Sequence, residues 1–318
     1  MSAGARAHRP ASAIVFAYHN VGVRCLKVLL DGGVDVKLVV THADNPAEAI
    51  WFQSVAALAA ERGLPCIAPA DPNTDAVLAQ VQAAAPDFLF SFYYRLMLQA
   101  PLLAVPRRGA YNMHGSLLPR YRGRAPVNWA VLHGERETGA SLHVMHVKPD
   151  AGALAGQQAV PILSDDTAHE VFGKVTLAAE MVLARVLPAL IDGSAVLTPQ
   201  DLSQGSYFGG RRPEDGRIPP AAAAGNIHNL VRAVAPPHYP GAFFDARGHR
   251  IVIGRTLHAA ATGSTRERFA LSMQDGTLWL DAADGGRLRV LSAFIDGAAL
   301  DAAGFSHRFG NQALVADT

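Results

Sequence analysis

Between Ala13 and Phe92, short runs of β-branched and aromatic residues alternate with longer stretches whose apolar residues recur at helical spacing. That alternation restricts the chain to strand–helix–strand units on a parallel sheet covered on both faces. The expected strands are Ala13–Ala17, Val36–Thr41, Pro65–Ala68 and Phe88–Phe92. The helices expected between them are Val23–Leu30, Ala47–Arg62 and Thr74–Ala84, with Gly32, Gly33 and Gly63 as stops. The fold class is therefore α/β, with a doubly wound, Rossmann-like first domain.

Farther along, a helix is expected over Asp166–Leu190, opened by Asp165, Asp166 and Thr167 and closed at Asp192 and Gly193. Residues 198–220 are rich in Gly, Pro and Arg and lack periodicity, which marks a connection. After a short helix at Ile227–Val234 come short strands, Ile251–Ile253, Phe269–Ser272, Thr277–Leu280 and Arg287–Leu291, separated by Gly-containing turns. A small β-barrel-like domain fits that pattern. The resulting division is a first domain over 1–200, a linker over 201–220 and a second domain over 221–318.

Lysine plus arginine (28) nearly balances aspartate plus glutamate (27). The broad positive field of a protein that grips a nucleic-acid backbone is missing, and small-molecule partners become the expectation. Cys25 and Cys66 have neither metal-ligand nor disulfide spacing and are expected to be reduced and buried. The apolar run Ala13–Ala17 is too short for a signal-peptide core or a membrane span, and Arg185 and Pro188 interrupt the stretch around Met181–Ile191. No membrane partner and a cytoplasmic location are expected.

The densest group of reactive side chains runs from Tyr111 to Pro126 and holds Asn112, His114, Ser116, Arg120, Arg122 and Arg124. Asn112 and His114 are two residues apart, so on an extended segment they face the same side. An amide N–H can stabilise a developing oxyanion, and an imidazole can take a proton near neutrality. Asp150, between Pro149 and Ala151-Gly152, is the candidate carboxylate that would orient the imidazole and raise its pKa. A packed core histidine and a turn-capping aspartate are the plain alternatives. His133, His143 and His169 share no ligand spacing and read as structural, and no metal is expected.

Asn112-x-His114 followed by Ser116-Leu117-Leu118-Pro119, together with Asp150-Ala151-Gly152, resembles the signature of the folate-dependent formyltransferases. That family includes methionyl-tRNA formyltransferases and sugar-nucleotide N-formyltransferases. The resemblance runs from about Ile14 to Ala242 and more loosely to the end, where the family has an oligonucleotide-binding type of barrel. It implies that Asn112, His114 and Asp150 are catalytic and that the donor is 10-formyltetrahydrofolate. It also implies a folate site lined by Leu96, Met97, Leu98, Arg124, His146, Val147, Lys148 and Pro149. Ser116, Arg211 and Arg212 would lie on the acceptor side, the two arginines pairing with a diphosphate.

Phe16-Ala17-Tyr18-His19, Thr41-His42-Ala43-Asp44-Asn45-Pro46, Ser91-Phe92-Tyr93-Tyr94-Arg95 and Arg122-Gly123-Arg124-Ala125-Pro126-Val127-Asn128-Trp129 are similar to one branch of the family. That branch formylates UDP-4-amino-4-deoxy-L-arabinose in lipid A modification and polymyxin resistance. There the transferase is followed by a decarboxylase domain, so that step is expected of another protein here. Gly216-Arg217-Ile218-Pro219-Pro220 replaces an aromatic residue usual in the family after the arginine-rich linker. The tRNA enzymes resemble one another in a basic insertion after the second strand. His42–Ala60 has no lysine or arginine, which favours the UDP-amino sugar over tRNA. A nucleotide-binding module without turnover is the remaining class. It leaves Asn112, His114 and Asp150 unexplained, and His19-Asn20-Val21-Gly22 is no phosphate-cradling glycine loop.

Overall fold

The computed structural model describes residues 9–46 and 50–317. The amino-terminal residues up to His8 and the first three residues of the expected Ala47–Arg62 helix lie outside the described residues. The chain divides into two compact units. One holds the residues up to Gly123 with Thr138–Val160 and Lys174–Tyr207; the other holds Arg124–Glu137, Pro161–Gly173 and Phe208–Thr318.

The first unit follows the alternation read from sequence: β1 (Ser12–Ala17), α1 (His19–Asp31), β2 (Asp35–Val40), α2 (Val55–Glu61), β3 (Cys66–Ile67), α3 (Asp75–Ala84), β4 (Phe88–Phe92), α4 (Ala100–Leu103) and β5 (Ala110–His114). The chain continues through β6 (Arg122–Gly123), α5 (Pro126–Leu132), β7 (Glu137–Val144), β8 (Leu154–Pro161) and α6 (Ala168–Asp192), then β9 (Tyr207–Phe208). The seven-stranded sheet has the order β3-β2-β1-β4-β5-β7-β8. β1 is buried along its whole length and pairs in parallel with β2 and β4, which is why it reads as a continuous apolar run. Thr74 caps α3 by accepting the Val77 N–H at 3.4 Å, and the α6 start is held by reciprocal bonds between Thr167 and Glu170.

The strands β1 to β4 pair in parallel as expected, and beyond them β7 runs antiparallel to β5. Two expectations are corrected. The helix expected from Ala47 begins only at Val55, where the Ser54 hydroxyl accepts the Ala57 N–H; Trp51 and Phe52 precede it as non-helical chain whose rings pack on His19. Cys25 is buried in α1, but Cys66 is exposed, since β3 is a two-residue edge strand with a neighbour on one side only.

In the second unit, α7 (Ala224–Ala233) precedes the strands β10 (Ala242–Ala246), β11 (His249–Ala259), β12 (Ala270–Gln274), β13 (Thr277–Asp281), β14 (Arg287–Ile295) and β15 (Ala298–Ala299), then α8 (Ala302–Phe309) and β16 (Leu314–Val315). The sheet is antiparallel in the order β10-β11-β14-β13-β12-β16, with β15 on β14. Asp317 N–H donates to the Asp245 carbonyl at 2.8 Å, bringing the chain after β16 back to β10 and nearly closing a barrel. β11 bends where its register to β14 shifts around Gly254, whose absent side chain leaves room for Ser292.

Candidate active site

The site is built on β5. Tyr111-Asn112-Met113-His114 pairs in parallel with β4 and antiparallel with β7, so Asn112 and His114 lie on a rigid inner strand rather than in a loop, and they share one face. His114 is buried, and its Nε2 is 2.8 Å from the Tyr121 carbonyl. A carbonyl only accepts, so Nε2 carries the proton and Nδ1 is the basic nitrogen. Nδ1 faces Asp150 Oδ1 at 3.6 Å.

The turn that supplies the Tyr121 carbonyl is itself pinned. Ser116 Oγ donates to the Arg120 carbonyl at 2.7 Å, and Ser141 Oγ donates to the Ser116 carbonyl at 2.6 Å while accepting from Leu118 N–H at 3.1 Å. Gln157 Nε2 donates to the Leu118 carbonyl at 2.9 Å. The residues after His114 therefore hold the imidazole from its far side.

Asp150 sits at φ +52°, a left-handed conformation that Asp and Asn tolerate better than other side chains. Its Oδ2 accepts the Gly123 N–H at 2.9 Å, and its own carbonyl accepts from Gln200 Nε2 at 3.1 Å. Gly152, two residues on, lies so close to β7 that a Cβ would stand 2.8 Å from the Val144 carbonyl carbon, with the oxygen closer still. Only glycine lets this loop fold back onto the strand and bring the carboxylate over His114. Burial disfavours the Asp150 charge, but the His114 and His143 imidazoles and the Gly123 N–H outweigh it and hold the carboxyl at about 2. For His114 burial wins: its pKa is pushed below 6.5, with His143 adding to the lowering, although Asp150 and the Tyr121 carbonyl favour the charged form. The expectation that the carboxylate would raise this pKa is thus corrected.

A fourth polar side chain joins these three. His143 on β7 is the register partner of Asn112, is 2% exposed, and places Nε2 3.1 Å from Asn112 Nδ2 and 3.5 Å from Asp150 Oδ1. Reading it as a packed structural histidine missed this. The available signal was a histidine seven residues before Asp150 inside a strand-like run, but only the antiparallel register assigns it to Asn112.

The remaining expected site residues are dispersed. Leu98 is buried in the core beside Ile14, Phe16 and Leu102, whereas Leu96 and Met97 are 40% and 58% exposed. Met145 packs on that same core cluster, and Val147, two residues beyond it, is 71% exposed. His146 and Lys148 are exposed and Pro149 is half-buried. Arg124, also exposed, belongs to the second unit and donates its N–H to the Phe208 carbonyl at 2.9 Å. Ser116 is fully buried with its hydroxyl proton committed to the turn, so it holds the loop and offers no surface to an acceptor.

Arg211 and Arg212, both in the second unit, part company. Arg211 stacks over Trp129 at 4.8 Å, donates to the Asp215 carbonyl at 2.9 Å, and lines a cavity of about 720 Å³ with Trp129, Arg217, Pro219 and Asn226. Arg212 does not line it; its N–H donates to Asp215 Oδ2. Among the described residues no group of three or more His, Cys, Asp or Glu side chains is placed to hold a metal ion, and no helix is long and apolar enough to cross a membrane.

A doubly wound domain thus gathers an amide, an imidazole and a carboxylate on one inner strand and its facing loop, and a small antiparallel barrel follows it in the chain. The formyl transferase family matches residues 14–187 and the formyl transferase C-terminal domain matches residues 211–309, and the chain belongs to the formyl transferase family. Among solved structures it is similar to WlaRD, a sugar 3N-formyl transferase solved with dTDP and 5-N-formyl-THF, at 18% identity and a TM-score of 0.70 over 89% of this chain and 97% of that one. The N-formyltransferase from Helicobacter canadensis, solved with folinic acid and dTDP-3-aminofucose, is 18% identical with a TM-score of 0.67 over 89% of this chain and 99% of that one. HypX from Aquifex aeolicus is 15% identical with a TM-score of 0.63, the match covering 96% of this chain and 49% of that one. At these identities the likeness is one of fold.

Proposed function

We propose that the protein transfers a formyl group from 10-formyltetrahydrofolate to the amine of a nucleoside-diphosphate amino sugar, and that the sugar nucleotide is UDP-4-amino-4-deoxy-L-arabinose. The observation that carries the reading is the convergence of Asn112, the basic Nδ1 of His114 and the Asp150 carboxylate within one buried cluster. The donor supplies the formyl carbon: its bond to the folate nitrogen breaks as the bond to the amine forms, and the amine proton ends on the leaving nitrogen. His114 Nδ1, neutral at physiological pH because burial holds its pKa down, takes that proton in passing. Asp150 then faces an imidazolium at 3.6 Å and stabilises it. Asn112 turns a side-chain N–H to the formyl oxygen as negative charge develops there.

Exposed Leu96, Met97 and Val147, which emerge around one core cluster, supply the apolar surface a pterin ring would cover. Arg211, stacked over Trp129, and Arg217, which lines the same cavity of about 720 Å³ while paired with Asp245, suit a diphosphate and its base. The relatives of like fold, one solved with 5-N-formyl-THF and dTDP and the other with folinic acid and dTDP-3-aminofucose, support the same class of substrate. Release of tetrahydrofolate should be measured with UDP-4-amino-4-deoxy-L-arabinose, a dTDP-amino sugar and methionyl-tRNA in parallel. Turnover with the UDP-sugar is expected, with Arg211→Ala raising the acceptor KM about tenfold at little change in folate KM. Turnover with tRNA alone would overturn the reading.

A further inference from the structure

The side-chain amide of Asn112 has two ways to face, and in isolation nothing in its strand selects one. We propose that His143 is the residue that selects it. His143 Nδ1 lies 2.9 Å from the Val144 carbonyl, which can only accept, so Nδ1 carries the proton and Nε2 presents a lone pair. Nε2 is 3.1 Å from Asn112, and the only group that satisfies a lone pair there is an N–H; the amide nitrogen must point at His143. One Asn112 N–H is then spent on His143 and its second N–H is fixed in direction.

The opposite tautomer would leave the Val144 carbonyl without its donor and set an Nε2–H against the Asn112 amide nitrogen. With the ring 2% exposed, water cannot repair that mismatch, so of the two neutral tautomers only one satisfies both partners. His143 and His114 thereby hold opposite tautomers: Nδ1–H in the first, Nε2–H in the second, each set by a backbone carbonyl. The 3.5 Å separation from Asp150 Oδ1, like the 3.6 Å separation of His114 Nδ1 from the same oxygen, is too long for a strong hydrogen bond, so Nε2 is left to Asn112 while the Gly123 N–H holds the carboxylate at 2.9 Å. His143 is a positioning residue. It acts on the reaction through Asn112, and its kinetic consequence rests on the formyl-transfer reading above.

His143→Leu removes the acceptor, and His143→Gln restores one at nearly the same reach. If the amide donor is lost from the developing oxyanion for want of orientation, kcat for His143→Leu should fall on the order of 100-fold with both KM values within about threefold. His143→Gln should recover to within about fivefold of wild type. A merely structural role would lower the melting temperature of both variants without this split, and a role as the proton acceptor would leave Gln as inactive as Leu; either result overturns the proposal. Histidine-selective ¹⁵N spectra of the wild-type protein at neutral pH decide the tautomer independently of any acceptor. The His143 signal, assigned by its loss in the variants, should report Nδ1–H; an Nε2–H tautomer or an imidazolium overturns the proposal. A wild-type protein that formylates no acceptor would defeat the reading of the reaction and leave that spectrum as the decisive test.

Discussion

Replacing Gly152 by alanine should cost both stability and turnover, because the new methyl has nowhere to go. Its carbon would stand 2.8 Å from the Val144 carbonyl carbon and 3.0 Å from His146 Cδ2, where packed carbons sit at about 3.5–4.0 Å. The loop must therefore back away from β7 by roughly 1 Å. Three hydrogen bonds depend on its present place: Val144 N–H to the Ala153 carbonyl at 2.9 Å, and Gln200 Nε2 to the carbonyls of Gly152 at 2.6 Å and Asp150 at 3.1 Å. At roughly 1 kcal/mol each, their loss comes to about 3 kcal/mol, which lowers Tm by about 6–12 °C for a unit of this size. Asp150 moves with the loop, and a displacement of about 1 Å in a reacting constellation costs on the order of 100-fold in kcat. Calorimetry and tetrahydrofolate release on the purified variant read both effects. Gly225→Ala is the matched control: it lies exposed in α7 with nothing within 4 Å of the added carbon, and alanine there should gain about 0.5–1 kcal/mol. A Gly152→Ala protein that melts within a degree of wild type and turns over normally would refute the claim that the loop is held by this close approach.

Asp150→Asn keeps the shape and suits the left-handed backbone, so it isolates the charge. A folded carboxyl held at about 2 instead of 3.8 contributes about 2 kcal/mol. Because the folded pKa is the lower one, that contribution is present above pH 3.8 and lost as the pH falls from there toward 2; urea unfolding of the two proteins should show the gap closing over that window, and an unchanged gap at pH 2.5 would count against it. His114, whose folded pKa is also lowered, stays neutral where the unfolded chain already binds a proton, so it withdraws stability as the pH falls below 6.5. For the same reason the acid limb of kcat/KM should lie below pH 6.5, and a limb above that value would contradict the burial of this imidazole. His114→Ala and Asp150→Ala should each lose most turnover while folate binding, read by fluorescence titration, largely persists.

Much of this protein was legible in one dimension. The alternation from Ala13 to Phe92 gave the parallel core because period and propensity are local properties of the chain, and a strand such as β1 needs no partner to be recognised as buried. Asn112 and His114 could be paired from their spacing alone, since residues two apart on any strand share a face. Other features had no local signature. That β7 runs antiparallel to β5, and that its register sets His143 against Asn112, depends on where a strand 30 residues away returns to the sheet. The orientation of the His114 ring is fixed by the carbonyl of Tyr121, and every residue has a carbonyl, so sequence cannot single it out. The sign of the His114 pKa shift turned on burial against a nearby charge, and burial belongs to the packed molecule. The start of α2 at Ser54, the exposure of Cys66 on an edge strand, and the entry of residues 124–137 and 161–173 into the second unit are likewise outcomes of packing. The sequence determined which side chains could do the chemistry, because chemistry is a property of residue type. Tertiary structure decided which nitrogen carries each proton and which way each group faces, because those are set by partners brought in from elsewhere in the chain.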